Sequence, residues 1–167
     1  MAIQQLRDIY FEAEAIVHAR PETVWDILTD YREGHPTIIP PQAFSDFTVE
    51  SGGKGAGTVI RFTFRYAGVR RQMRQIVSEP EPGRVLVEAN TDGLARTTFA
   101  LSPMDDGRQT HVRITTDQAA SSGLAGMAQR LVTPLVAPAM RRLYLEELGR
   151  LDALAQHWPK SEPAPAP

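Results

Sequence analysis

The chain has 167 residues, 42% of them apolar and 23% charged, with a formal charge of −2 and no cysteine. That suits one domain with a core of its own. It excludes disulfides, thiolate metal sites and cysteine nucleophiles, and the slightly acidic balance argues against bulk attraction to nucleic acid. The opening MAIQQLRDIYFEAEAI lacks a basic region followed by an apolar run, so no signal peptide is read there. The longest apolar stretch, 123–140, contains Gln129, Arg130, Pro134 and Pro138, a poor membrane span. A cytoplasmic protein without stable membrane insertion is the default expectation.

In chain order, YFEAEAIVHA alternates, with Phe11, Ala13, Ala15 and Val17 on one face and Glu12, Glu14 and His18 on the other. This is the pattern of a half-buried strand. RPETVWDILTDY follows, with Pro21 suited to a first helical turn, Glu22 near its positive end, and Val24, Ile27, Leu28 and Tyr31 at helical spacing. Next comes GHPTIIPPQAF, in which Pro36, Pro40 and Pro41 bracket the apolar pair Ile38 and Ile39. Prolines oppose helix and remove sheet donors, so this reads as a loop, with room for a second short helix. A greasy loop either plugs a core or covers a cavity, and at least one isoleucine is expected to point inward.

A run of strands comes after it. AFSDFTVES ends at the turn GGKGAG. TVIRFTFRY alternates clearly, with Ile60, Phe62, Phe64 and Tyr66 on one face and Arg61, Thr63 and Arg65 on the other. After a tight Ala-Gly turn, VRRQMRQIV places Val69, Met73 and Val77 together. VLVEAN, ARTTFALSP and THVRITTDQAA complete an antiparallel meander. From Ser121 the period becomes helical, with an apolar stripe through Leu124, Met127, Leu131, Leu135, Ala139, Leu143, Leu148, Leu151 and Leu154. Pro134 and Pro138 lie inside it, so a kink or break is expected around 130–137. The domain is expected to span 1–157, followed by a disordered proline-rich tail over 158–167. No internal repeat is visible.

The element order and several phrases resemble one superfamily. IVHARPETVWDILTDY is similar to the opening strand and helix of START-like, or Bet v 1-like (SRPBCC), proteins, a group that includes the polyketide cyclase/dehydrase and lipid transport proteins. SGGKGAGTVIRF, SEPEPGRVLVE and LYLEELGRLDAL resemble its second turn, fourth turn and C-terminal helix, so that the likeness covers about 9–155. The resemblance implies an α+β helix-grip fold. In it, a curved seven-stranded antiparallel sheet wraps a long C-terminal helix, with one or two short helices between strands 1 and 2. It also implies a small hydrophobic or amphipathic ligand such as a lipid, polyketide or aromatic, held in a cavity between sheet and helix. A cyclase or dehydrase, or a chaperone-regulator-like protein-interaction module, are the alternatives, because a fold does not choose a function.

The apolar strand faces nominate Phe62, Phe64, Met73, Val85, Val87, Phe99 and Leu101, with Val112 and Ile114, and the helix supplies Met127, Leu131 and Leu135 as the opposite wall. A filled core would write the same pattern; the resemblance favours a cavity. Tyr66, Arg71, Gln75 and Thr97 are polar residues on those same faces. Arg71 either meets an anionic ligand oxygen or reaches solvent at a strand end. His18 and His111 fall on outer faces. His35 alone could see a cavity mouth, with Asp30 or Glu33 to orient it. No histidine pair has metal-ligand spacing, SGGKGAG is a poor match to a phosphate loop, and no Gly-x-Ser-x-Gly elbow occurs, so no metal, no cofactor and no catalytic set is assigned. Ser121 and Ser122 read as a helix cap. Arg61, Arg65, Arg70, Arg74 and Arg113 share the outer face with Glu12, Glu14, Glu88 and Asp117, a pattern of cross-strand pairs or a protein-docking surface. A monomer or homodimer is expected.

Overall fold

The computed structural model describes residues 9–66 and 68–159. Ala67, in the expected Ala-Gly turn, and the tail from 160 lie outside the described residues. The chain runs β1 (Ile9–Val17), α1 (Pro21–Thr29), α2 (Gly34–Ile38), β2 (Phe44–Ser51), β3 (Val59–Tyr66), β4 (Val69–Glu81), β5 (Val85–Asn90), β6 (Ala95–Met104), β7 (Gln109–Gln118) and α3 (Gly123–Ala155). The strands form one antiparallel sheet of seven in the order β1-β7-β6-β5-β4-β3-β2. This is the helix-grip arrangement.

Every connection from β2 to β7 joins sheet neighbours, but β1 and β2 lie at opposite edges. The link between them must cross the sheet's full width, and α1 and α2 do this. They pack on each other and on α3, which brings α2 over the interior. Pro21 opens α1 at its first turn, where a missing N–H costs nothing. Pro36 likewise falls inside α2, so GHPTI is a short helix and not wholly a loop. Gly34 lets α2 approach, since a Cβ there would stand 2.5 Å from the Ile27 carbonyl oxygen.

The core lies between the sheet and the C-terminal half of α3. Val17, Leu28, Ile38, Leu86, Val112, Leu148 and Leu151 are fully or almost fully buried there. α3 rests mainly on β1, and the Asp152 carboxylate accepts the His18 backbone N–H at 2.7 Å. Of the kink or break expected in α3, a break is not found among the described residues. The helix runs unbroken through Pro134 and Pro138, and both prolines are exposed, so water can satisfy the carbonyls they orphan. Ser122 stands at the N-cap position without a side-chain cap bond.

On the outer face, cross-strand pairing accounts for several arginines. Glu50 receives Arg61 Nε at 3.1 Å and Arg74 Nε at 2.7 Å, and Arg113 pairs with Glu12. Asp117 lies beneath Arg96 at 3.5 Å. Glu88 is a correction, because it points inward.

Candidate ligand cavity

Between the sheet and α3 lies a cavity of about 300 Å³, enough for a small molecule. Phe62, Phe64 and Tyr66 of β3, Arg71, Met73 and Gln75 of β4, and Thr97 and Phe99 of β6 all line it. These follow the alternation of their strands. In antiparallel pairing, residues directly opposite share a face. Thus Phe62 stands against Met73, Phe64 against Arg71 and Ile60 against Gln75.

Three expectations about the lining are corrected. Leu101, Val112 and Ile114 are buried in the solid core beyond the cavity. Val85 and Val87 are not in the lining either. Leu86 pairs with Phe99 and Glu88 with Thr97, which turns Leu86, Glu88 and Asn90 inward. VLVEAN hides this phase because Val85, Leu86 and Val87 are all apolar, and one residue of shift exchanges the faces. Finally, Met127, Leu131 and Leu135 are 59%, 77% and 78% exposed and point away from the cavity. A stripe stepped by four residues advances about 40° per step on a helix of 3.6 residues per turn. From Met127 to Leu143 it therefore drifts to the opposite side. The inward face, stepped back from Tyr144, is Met140, Val136, Thr133, Val132 and Gln129.

The two isoleucines of the proline-bracketed segment divide the work. Ile38 is fully buried in the core, and Ile39 lines the cavity.

Polar groups gather at two places. Arg71 is exposed where the cavity meets solvent. The interior holds the rest. Tyr31 Oη donates to Glu88 Oε1 at 2.6 Å, and burial, reinforced by the Glu88 charge, pushes the tyrosine pKa well up, which keeps the phenol a donor. His35 stacks on Tyr31 with ring centroids 4.6 Å apart and meets Phe99 edge-on at 5.7 Å. Its Nδ1 lies 2.8 Å from the Leu28 carbonyl, so Nδ1 carries a proton and donates. Nε2 then faces Glu88 Oε1 at 3.3 Å. The orienting partners are therefore Leu28 and Glu88. Asp30 instead accepts the backbone N–H groups of Arg32 and Glu33 in the preceding turn.

On the helix side, Tyr144 Oη and Thr116 Oγ1 are 2.6 Å apart, and Thr116 reaches Thr97 Oγ1 at 2.8 Å. Burial raises the Tyr144 pKa, so its hydroxyl stays neutral. Glu147, one turn further, is 4% exposed and lines the cavity. Burial, with the Glu88 charge second, pushes its carboxyl up to about 8. Gln75 donates to Asn90 Oδ1 at 3.0 Å, while its own Oε1 is buried and has no partner among the described residues.

Glu88, Tyr144 and Glu147 escaped sequence reasoning. For Glu147 a signal existed, since it stands four residues from both Leu143 and Leu151, which are buried. For Glu88 only strand pairing reveals the face. Among the described residues, no cluster of three or more histidine, aspartate or glutamate side chains has a metal-binding arrangement, and no helix is long and apolar enough to cross a membrane.

An open seven-stranded sheet gripping one long helix over an apolar cavity defines the START-like, or Bet v 1-like (SRPBCC), class of protein. Residues 8–156 match the polyketide cyclase/dehydrase and lipid transport family, and the chain belongs to that family. Solved structures with the same fold include the KanY protein, at TM-score 0.73 and 21% identity over 89% of this chain and 97% of that one. The Zhui aromatase/cyclase from Streptomyces sp. R1128 superimposes at TM-score 0.68 and 19% identity, covering 88% and 93% of the two chains. A START superfamily protein from Mycobacterium smegmatis does so at 0.65 and 16%, covering 87% and 98%. At these identities the likeness is one of fold. Comparison with curated proteins returns no match.

Proposed function

We propose that the protein binds a small hydrophobic or amphipathic molecule, of lipid, polyketide or aromatic type, in the cavity between the sheet and α3. The observation that carries this reading is the cavity itself, about 300 Å³ walled by Phe44, Phe47, Phe62, Phe64 and Phe99 where a solid core would be the norm. Burial of aromatic surface supplies affinity without directional contacts. The few polar groups, Arg71, Gln75, Thr97 and Tyr66, can orient a ligand. Tyr66 Oη donates to the Ala139 carbonyl at 3.3 Å, which ties the end of β3 to the helix wall. Native mass spectrometry of freshly purified protein is expected to show a co-purifying lipid or aromatic. A ligand-free spectrum, together with no binding of a hydrophobic fluorophore, would sink the reading.

A second reading, a cyclase- or dehydrase-type enzyme, is favoured by the Tyr31–Glu88–His35 cluster beside Glu147. Two buried carboxyl groups that line one cavity are a pair that acid–base chemistry at a ketone can use. Turnover of a poly-β-keto substrate that is lost in Glu88→Gln and in Arg71→Ala, with folding retained, would support it. Among the described residues the outer sheet face offers less to a docking partner, since Arg61, Arg74 and Arg113 are already paired.

A further inference from the structure

The interior end of the cavity draws Glu88 from β5, His35 from α2, and Tyr144 and Glu147 from α3. Tyr144 is matched by Thr116, and Glu88 by Tyr31. Glu147 differs. Its side chain is buried against the cavity, and among the described residues what acts on its carboxyl is burial and the Glu88 charge, with no hydrogen bond. A polar group without a partner in the fold gains from any partner that reaches it. The carboxyl faces the cavity, where a ligand would lie.

Resting on the binding reading above, we propose that Glu147 anchors the head group of the ligand by donating a hydrogen bond to an uncharged oxygen acceptor, a ketone carbonyl, on an aromatic molecule. The same end rejects carboxylates. Among the described residues the lining holds one arginine, Arg71, and no lysine, and Arg71 sits at the solvent edge. A ligand carboxylate placed inside would meet the Glu88 charge, whose oxygen Tyr31 and His35 already engage, with no arginine or lysine beside it. An ammonium would have to be served by Glu88, whose Oε1 already accepts from Tyr31 and faces His35 Nε2, or by Glu147, which burial favours in its neutral form. The titratable and charged groups around Glu147 are Glu88 on β5, His35 on α2, Tyr31 after α1, Tyr144 on α3 and Arg71 on β4. A neutral carboxyl can donate, and a carboxylate cannot.

The test uses the full chain and three naphthalene probes of one shape: 2-acetylnaphthalene, 2-naphthoate and 2-naphthylmethylamine. Affinity is read by calorimetry at pH 7 and pH 9.5, with folding checked by circular dichroism at each pH. The ketone does not titrate in this range. It is expected to bind best of the three at pH 7, and to weaken by about thirtyfold at pH 9.5 as the donor form is depleted. In Glu147→Gln the amide still donates, so ketone affinity is expected to be equal at both pH values. In Glu147→Leu it is expected to fall at least about tenfold at pH 7. If the leucine variant fails to fold, the glutamine pH profile carries the test. A wild-type ketone affinity that is flat with pH would remove the anchor and leave cavity binding intact. Naphthoate or the amine binding as tightly as the ketone would do the same. If no probe binds folded protein, both the anchor and the aromatic-ligand reading fall.

Discussion

The Tyr31 hydroxyl donates to Glu88 Oε1 at 2.6 Å across 57 residues of chain, joining the end of α1 to the middle of β5. Both side chains are buried, and the His35 ring stacked on Tyr31 approaches the same oxygen. This bond holds the α1–α2 crossover onto the sheet at the cavity's inner end. Hydrogen bonds to charged groups contribute about 1.5–3 kcal/mol, and stranding one partner exposes the desolvation penalty. Tyr31→Phe is therefore expected to lower urea stability at pH 7 by about 2 kcal/mol. The same change in a Glu88→Gln background should cost clearly less. Equal losses in the two backgrounds would show that the hydroxyl acts independently of Glu88.

Gly34→Ala tests the helix crossover. Its Cβ would press on the Ile27 carbonyl oxygen at 2.5 Å and on Ile27 Cα at 3.0 Å, both backbone atoms that cannot rotate away. Overpacking of this kind costs about 1–3 kcal/mol. Because α2 also carries His35 and leads directly into Ile39, the variant should lose ligand affinity as well as thermal stability. Unchanged melting would mean that α2 moves freely on α1.

Glu147 makes a pH prediction whose direction is the reverse of an ordinary salt-bridged acid. Its folded-state pKa is about 8, against an ordinary value of 4.5. Between those two values the unfolded chain has released the proton and the folded chain keeps it. Stability therefore falls as pH rises from about 4.5 to 8 and levels off above. Glu147→Gln removes this contribution. The difference in urea stability between variant and wild type should swing in the variant's favour from pH 5 to pH 8, by an amount on the order of 4 kcal/mol at most. A difference that does not change with pH would place the carboxyl in water.

The two faces of α3 should respond oppositely. Leu131 and Leu135 are exposed, so Leu131→Gln and Leu135→Gln are expected to shift stability by no more than about 0.5 kcal/mol. Leu148 is fully buried, and Leu148→Ala should cost about 2–5 kcal/mol. A large loss at Leu131 would mean that the apolar face is covered in solution.

Ile38 and Ile39 allow the same contrast within adjacent residues. Ile38→Ala should cost about 2–5 kcal/mol, because it empties a filled core position. Ile39→Ala should enlarge a space that already exists, so its main effect is expected on ligand affinity, read by titration with 2-acetylnaphthalene, with a smaller effect on melting.

Much of this protein is legible in its sequence because alternation and helical period are local properties. TVIRFTFRY separates its faces without ambiguity, so alternation alone assigns Phe62, Phe64 and Tyr66 to the interior, where they line the cavity. The order of strands, short helices and long helix is local in the same sense. Three things are not. The phase of VLVEAN is set by β5 pairing with β6, since apolar residues occupy both of its faces. The side of α3 that faces inward is set at its C-terminal half and carried back along the helix, where the four-residue stripe has drifted away from it. The polar cluster exists only because the crossover sets His35 beside Glu88, and because β5 and α3 turn Glu88 and Glu147 into one enclosed space. Periodicity determines which elements form. Long-range pairing and packing decide which of their side chains meet, and burial there decides that Glu147 keeps its proton.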